Sequence, residues 1–261
     1  RGERLLTQLP VLAMYLTQML LPLPDGFLFY YDNYPVSRGL DARTLLAGVC
    51  LLGLLMIAFL CRRRWPLVTL GIAWFFVAHA LTSNLWPLGL AFEHRNYLAL
   101  FGVLLALVQP LSALLGRLHA DARITLLLLP VLMLGSLTHI QARIWGNSLQ
   151  LAWALENRNP DSPRASYGLG EQLIIAAGGD AGAPAWTMAL RQFEHAAQLP
   201  GDPVLPLQAM ILLPAQSGGT VPSDVWERFR AGLGQGGFRA EHVSALHAVS
   251  QCRIEGRCSF D

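Results

Sequence analysis

Charge is scarce along this chain. Asp, Glu, Lys and Arg fill 14% of its 261 positions against 53% for hydrophobic residues, and mean hydropathy is +0.40. So little charge excludes an ordinary soluble domain and points to a polytopic membrane protein. The net charge is only +2, and no basic stripe with interleaved aromatics occurs, so nothing marks nucleic acid as a partner. Familiar catalytic signatures are missing as well. There is no Gly-x-Ser-x-Gly and no His-Glu-x-x-His, and Gly168-Leu169-Gly170 is too short for a phosphate loop and follows no strand. Neither Asn157 nor Asn159 is a glycosylation acceptor, because Asn159 precedes Pro160 and Asn157 has no Ser or Thr two residues on. The apolar stretch Leu9 to Leu21 ends in Pro22-Leu23-Pro24 without the small-residue cleavage site of a secretory signal peptide. Arg1 stands where Met would and an apolar helix begins almost at once, so the chain is expected to be part of a longer polypeptide.

Cysteine is rare too, with four in all. Cys50 and Cys61 belong to an apolar helix and its inner end, where a reduced thiol is the ordinary state. Cys252 and Cys258, in Cys-Arg-Ile-Glu-Gly-Arg-Cys, are expected on the outer side, where a disulfide can persist. His242 and His247, five apart, have no Cys-x2-Cys partner, which argues against zinc.

The apolar content is concentrated in residues 5 to 140. Five segments there, about 5–23, 44–60, 66–83, 97–116 and 123–141, approach the roughly 20 residues a helix needs to cross a bilayer core of ~30 Å. The turn Cys61-Arg62-Arg63-Arg64-Trp65 places its end of the chain inside, since short Arg-rich loops stay cytoplasmic. Alternation then puts Arg1, Arg4, Arg117 and Arg123 inside, and the loops 24–43 and 84–96 outside with everything after about 142. The expected architecture is all-α: a membrane domain over 1–141 with about five transmembrane helices, then a soluble helical domain over 142–261.

In that second half, Gly and Pro punctuate helices at about 142–157, 163–178, 183–198, 203–213, 222–233 and 239–250. Leu169-Gly170, then Ala189-x3-Phe193-x2-Ala196 and Pro200, partly fit the tetratricopeptide pattern, with an insertion near Gly178 to Gly182. A generic helical hairpin fits equally.

Two polar segments flank the spans on the outer side. The first holds Asp25, Asp32, Arg38, Asp41 and Arg43 among Phe27, Phe29, Tyr30, Tyr31 and Tyr34. It reads either as an aromatic loop lying on the bilayer surface or as a wall over a lipid-linked substrate, with Arg38 available to a phosphate. The second, from Thr82 to Tyr97, ends in Glu93-His94-Arg95-Asn96-Tyr97. Arg grips phosphate with two parallel charge-assisted hydrogen bonds, and His94 titrates near neutral pH. Glu93 either orients Arg95, takes a proton, or forms a purely structural ion pair with it. His79 and His139 read as helix-packing and interfacial residues.

Taken in order, Arg4 to Leu16, Leu20-Leu-Pro-Leu-Pro24, Tyr31-Asp32, Ser37-Arg38-Gly39-Leu40 and Glu93-His94-Arg95-Asn96-Tyr97-Leu98 resemble the signatures of GT-C type membrane glycosyltransferases with a C-terminal tetratricopeptide region. The family includes the TMTC protein O-mannosyltransferases and their bacterial relatives. The resemblance covers residues 1 to 140, and 141 to 200 loosely. It implies transfer of a sugar from a polyprenyl-phosphate donor to a protein or glycan acceptor on the outer face of a membrane. Arg95 with Arg38 would bind the donor phosphate, with His94, Tyr97 and Tyr31 as further substrate contacts. Glu93 would position Arg95, with Asp32 the remaining acid near the sugar. The acid that such enzymes carry in their first outer loop is expected upstream of this segment. No cofactor is implied for certain, and a divalent metal stays open. The expected setting is a bacterial inner membrane with the C-terminal domain in the periplasm. An O-antigen ligase or polymerase and a non-catalytic membrane scaffold are the competing readings.

Overall fold

The computed structural model describes residues 2–23, 26, 28–80, 91–234, 239–258 and 260. Arg1, Asp25, Phe27 and the stretch from Thr82 to Pro87, all part of the sequence reading, lie outside them. The described residues are helical, with no strand among them. The chain divides into two compact units, Arg1–Ala142 and Arg143–Asp261.

The first unit contains α1 (Gly2–Leu20), α2 (Ala42–Cys61), α3 (Pro66–Ala80), a 3-10 turn at Glu93–Arg95 that leads into α4 (Asn96–Leu115), and most of α5 (Ala120–Trp145). Asp41 starts α2 by accepting a hydrogen bond from the Thr44 amide at 2.7 Å, which satisfies a donor that helix geometry leaves without a partner. The same bonds, first of all that with Thr44, hold the Asp41 carboxyl below its ordinary range. Helices α3 and α4 pack at a glycine crossing: a Cβ on Gly102 would lie 2.6 Å from the Gly71 carbonyl oxygen. Small residues let two backbones approach this closely where apolar driving forces are weak.

Among the described residues, three helices are long and apolar enough to cross a membrane: Ala42–Cys61, Glu93–Leu115 and Ala120–Trp145. The segments near 44–60, 97–116 and 123–141 coincide with these, while α3 has 15 described residues, about 22 Å at 1.5 Å per residue, and α1 is more polar. Thr7, Gln8 and Gln18 on α1 are all buried.

Alternation made α1 antiparallel to α2, and the contacts make it parallel. Thr7 Oγ1 accepts from the Ser37 amide at 2.9 Å, and Thr44 Oγ1 donates to Ser37 Oγ at 2.8 Å, so both helices start at one end. Leu16 and Leu54 further along then line one apolar cavity of about 260 Å³. Arg4, expected on the inner side, is instead near enough to Arg95 to act on it electrostatically. The polar residues of α1 explain the difference. Thr7, Tyr15 and Gln18 find hydrogen-bond partners in the segments at 31–44 and 92–96, where lipid would offer none.

The second unit holds α6 (Ser148–Arg158), α7 (Pro163–Ala177), α8 (Pro184–Gln198), α9 (Val204–Gln216), α10 (Ser223–Gly234) and α11 (Ala240–Ile254). Ser162 caps α7 through the Ala165 amide at 3.1 Å, with Pro163 in the first turn, a favourable start. Gly178 closes α7 at φ 62°, a left-handed conformation that glycine adopts without penalty. Leu169, Ala189 and Phe193 fill the core between α7 and α8, while Val204, Leu207, Ile211, Val225, Phe229 and Ala245 join α9, α10 and α11. The Glu194 carboxylate bridges α8 to α10, accepting from Arg228 Nη1 with both oxygens at 2.9 and 3.1 Å. Cys252 and Cys258 form a disulfide, with Cα atoms 5.4 Å apart.

Candidate functional site

Between the last turn of α1 and the start of α4, four polar side chains form one directed network. Gln18 Nε2 donates to the Gly26 carbonyl at 2.5 Å and to the Tyr31 hydroxyl at 2.9 Å. Tyr31 in turn donates to Glu93 Oε1 at 3.0 Å, and the Phe29 amide donates to the same oxygen at 3.3 Å. Asn96 Nδ2 donates to Gln18 Oε1 at 3.4 Å. The Gly26 carbonyl can only accept, so every amide and hydroxyl in the chain is oriented by it. Phe29 has φ 61°, a costly backbone conformation for a bulky side chain. The observed gain is a main-chain donor on Glu93. Burial is the main cause that raises the Tyr31 phenol above its ordinary value, and the neighbouring Glu93 charge adds to it.

Beside this network lies a cavity of about 650 Å³. Gln18, Glu93, Asn96 and Tyr97 line one part of it. Apolar side chains line the rest, Leu20 from α1, Leu100, Leu104 and Leu107 from α4, and Pro130 and Met133 from α5. An amphiphile with a compact polar head and a long apolar tail matches that division.

Arg95 sits apart from this cavity. It is 7% exposed, its guanidinium lies 5.2 Å from the Phe92 ring centre, and its Nε has no hydrogen-bond partner. No ion pair joins it to Glu93 among the described residues, since Glu93 is engaged with Tyr31 and Phe29. Tyr15 closes the adjacent wall: its hydroxyl accepts from the Phe92 amide at 2.6 Å and its ring stacks on His79 at 5.3 Å.

Of the remaining sequence candidates, all but Tyr97 fall outside the cavity lining. His94 is exposed, with its ring 5.3 Å from that of Phe92. Asp32 and Arg38 are exposed, and Tyr97 lines the cavity while 80% exposed. Tyr34 is held by Arg43, which donates to its hydroxyl at 2.6 Å; burial nevertheless raises its phenol. Sequence reasoning gave no role to Gln18, Tyr15 or Asn96. Their signal was there, because a polar residue within or at the end of an apolar run must find a partner. Among the described residues no three His, Cys, Asp or Glu side chains group to hold a metal.

In the second unit, Asp202 gathers the start of α9 and the start of α11: His242 Nε2 lies 2.6 Å from its Oδ2 and Arg239 3.6 Å. His242 is fully buried, so this cluster reads as a tie between helices.

Compared with protein-family models, curated proteins and solved structures, the chain has no match.

Proposed function

We propose that this chain is part of a GT-C type membrane glycosyltransferase that moves a sugar from a polyprenyl-phosphate donor to a protein or glycan acceptor on the outer face of a membrane. The observation that carries the reading is the cavity beside Glu93, polar at one part and apolar along α4 and α5. In the reaction, an acceptor heteroatom bonds to the anomeric carbon and loses its proton to a carboxylate. The bond from that carbon to the phosphate oxygen breaks, and its electron pair leaves with polyprenyl phosphate. Glu93 is the carboxylate at the cavity, and the acid expected upstream is the other candidate for the proton.

Arg95 is assigned to the phosphate. A guanidinium 7% exposed and without a carboxylate partner among the described residues gains most from an anionic ligand, because an uncompensated buried charge is costly. Placed there, it would stabilise the charge developing on the departing phosphate. The second unit is assigned to the acceptor or a partner, with the α7–α8 hairpin read as tetratricopeptide-like. A full-length Arg95→Ala variant should lose transfer from a lipid-linked sugar, and wild-type transfer by that variant would remove Arg95 from the phosphate role.

A second reading, a membrane-anchored tetratricopeptide scaffold without catalysis, is favoured by the exposure of Asp32 and Arg38 away from the cavity. Intact partner binding with no transfer by the full-length protein would select it.

A further inference from the structure

Arginines gather at the end of the first unit where α2 stops and α3 starts. Arg62, Arg63 and Arg64 form the turn between those helices, Arg117 and Arg123 flank the turn between α4 and α5, and all of them are exposed. Hydrogen bonds hold both turns at one end of the bundle. The Leu67 amide at the start of α3 donates to Gln109 Oε1 near the end of α4 at 2.9 Å, and Thr69 Oγ1 donates to the Ala58 carbonyl of α2 at 2.8 Å. Two of the arginines are spent locally. Arg62 lies over the Phe59 ring at 3.8 Å and donates to the Phe59 carbonyl at 2.7 Å, while Arg123 Nε donates to the Leu115 carbonyl at 3.2 Å. Arg63, Arg64 and Arg117 make no side-chain hydrogen bond or ion pair among the described residues. The acidic residue of these turns is Asp121, so the end is strongly cationic.

Next to this cationic end lies the apolar cavity of about 260 Å³. It exists because α1 stops short. Leu20 at the end of α1 and Leu54 on α2 line it together, and α2 continues from Leu54 to Cys61, about 10 Å at 1.5 Å per residue. Val68, Gly71, Leu107 and Pro110 complete its walls. Val68 belongs to the first turn of α3, directly after the arginine turn, so the apolar wall begins beside the cations. A preference for arginine on one side of a membrane accounts for the charge alone. It requires no apolar slot next to it. Together the two features match a phospholipid, with its phosphate on guanidinium groups and an acyl chain between the helices. Charge complementarity narrows the class, because a basic end of this kind favours a net negative headgroup over a zwitterionic one. We propose that this end of the first unit binds an anionic phospholipid, with the phosphate on Arg63, Arg64 and Arg117 and one acyl chain in the cavity bounded by α1, α2, α3 and α4. The site is separate from the Glu93 cavity and does not depend on sugar transfer.

Native mass spectrometry of the full-length protein in detergent tests this by titration with dioleoyl phosphatidylglycerol and dioleoyl phosphatidylethanolamine, with inorganic phosphate and polyprenyl phosphate as competitors. The wild type should bind phosphatidylglycerol about tenfold or more tighter than phosphatidylethanolamine, the scale for a few arginines at a lipid phosphate. Inorganic phosphate should not displace it, because the acyl chain contributes. Replacing Arg63, Arg64 and Arg117 together by Gln should erase the preference and leave phosphatidylethanolamine binding as it was. Val68→Phe, which fills the cavity from α3, should weaken both lipids and keep the preference. Equal binding of the two phospholipids by the wild type would overturn the proposal. Displacement by inorganic phosphate would assign the arginines to a free anion and overturn it as well. Displacement by polyprenyl phosphate, lost in the Gln variant, would give the cavity to an isoprenoid chain and overturn it too. The wild-type titrations decide the matter even where a variant does not fold.

Discussion

Tyr31 donates its hydroxyl proton to Glu93 Oε1 across 3.0 Å, joining two segments 62 residues apart in the chain. This bond connects the loop after α1 to the turn before α4, and it fixes which Glu93 oxygen remains available to the cavity. Tyr31→Phe should cost about 1–3 kcal/mol, the range for removing a buried hydrogen-bonding partner, read as a lower midpoint in thermal unfolding of the detergent-solubilised protein.

The same tyrosine has a pH signature. Its native pKa is raised above the ordinary 10.0, first by burial and then by Glu93, so below pH 10 both folded and unfolded forms are protonated and it adds no pH dependence. Above pH 10 the unfolded phenol ionises while the folded one resists, which favours unfolding. Stability should be flat in this contribution up to about pH 10 and fall beyond it, with a smaller fall in Tyr31→Phe, where the raised phenol of Tyr34 still contributes.

At the α3–α4 crossing, Gly102→Val should be poorly tolerated. Its Cβ would meet the Gly71 carbonyl oxygen at 2.6 Å, and backbone cannot yield as a side-chain tip can. The expected loss is about 1–3 kcal/mol, typical of overpacking. Gly53, which has nothing within 4 Å of its Cβ position, serves as control: Gly53→Ala should leave the thermal midpoint unchanged or raised.

In the second unit a Cβ on Gly170 would lie 2.6 Å from the Phe193 ring. Gly170→Ala should therefore destabilise, and Phe193→Leu should partly restore stability in the double variant, whereas Phe193→Ala alone should cost about 3–5 kcal/mol. A double-mutant cycle in chemical denaturation measures the coupling.

Replacing both Cys252 and Cys258 by Ser should cost about 2 kcal/mol, on the loop-entropy scale for so short a ring. Both cysteines are buried with Ala215, at 2% and 7% exposure. Dithiothreitol should lower the wild-type midpoint and leave the double variant unaffected.

Most helix positions were legible in the sequence because Gly, Pro and caps such as Ser162 and Asp41 act locally. The meeting of the two outer segments was partly legible. Both were marked as polar, but the bond that joins them runs through Tyr31 and Glu93, whereas the expected pairing was of Glu93 with Arg95. The course of α1 was not legible, because alternation treats every apolar run as a crossing. Thr7 and Gln18 redirect it through partners in other segments, such as Ser37 and Asn96. Gln18 carried only the general signal of a polar residue in an apolar run, and its importance lies in holding Tyr31 and Asn96 at once.

The central claim is transfer of a lipid-linked sugar at the Glu93 cavity. Its most direct test is incubation of the full-length protein with a labelled polyprenyl-phosphate hexose and protein or glycan acceptors. Label should pass to an acceptor with the wild type and fall by about 100-fold or more with Glu93→Gln, which removes the carboxylate that takes the proton. Absence of transfer by the wild type, with binding to partner proteins intact, would contradict the account.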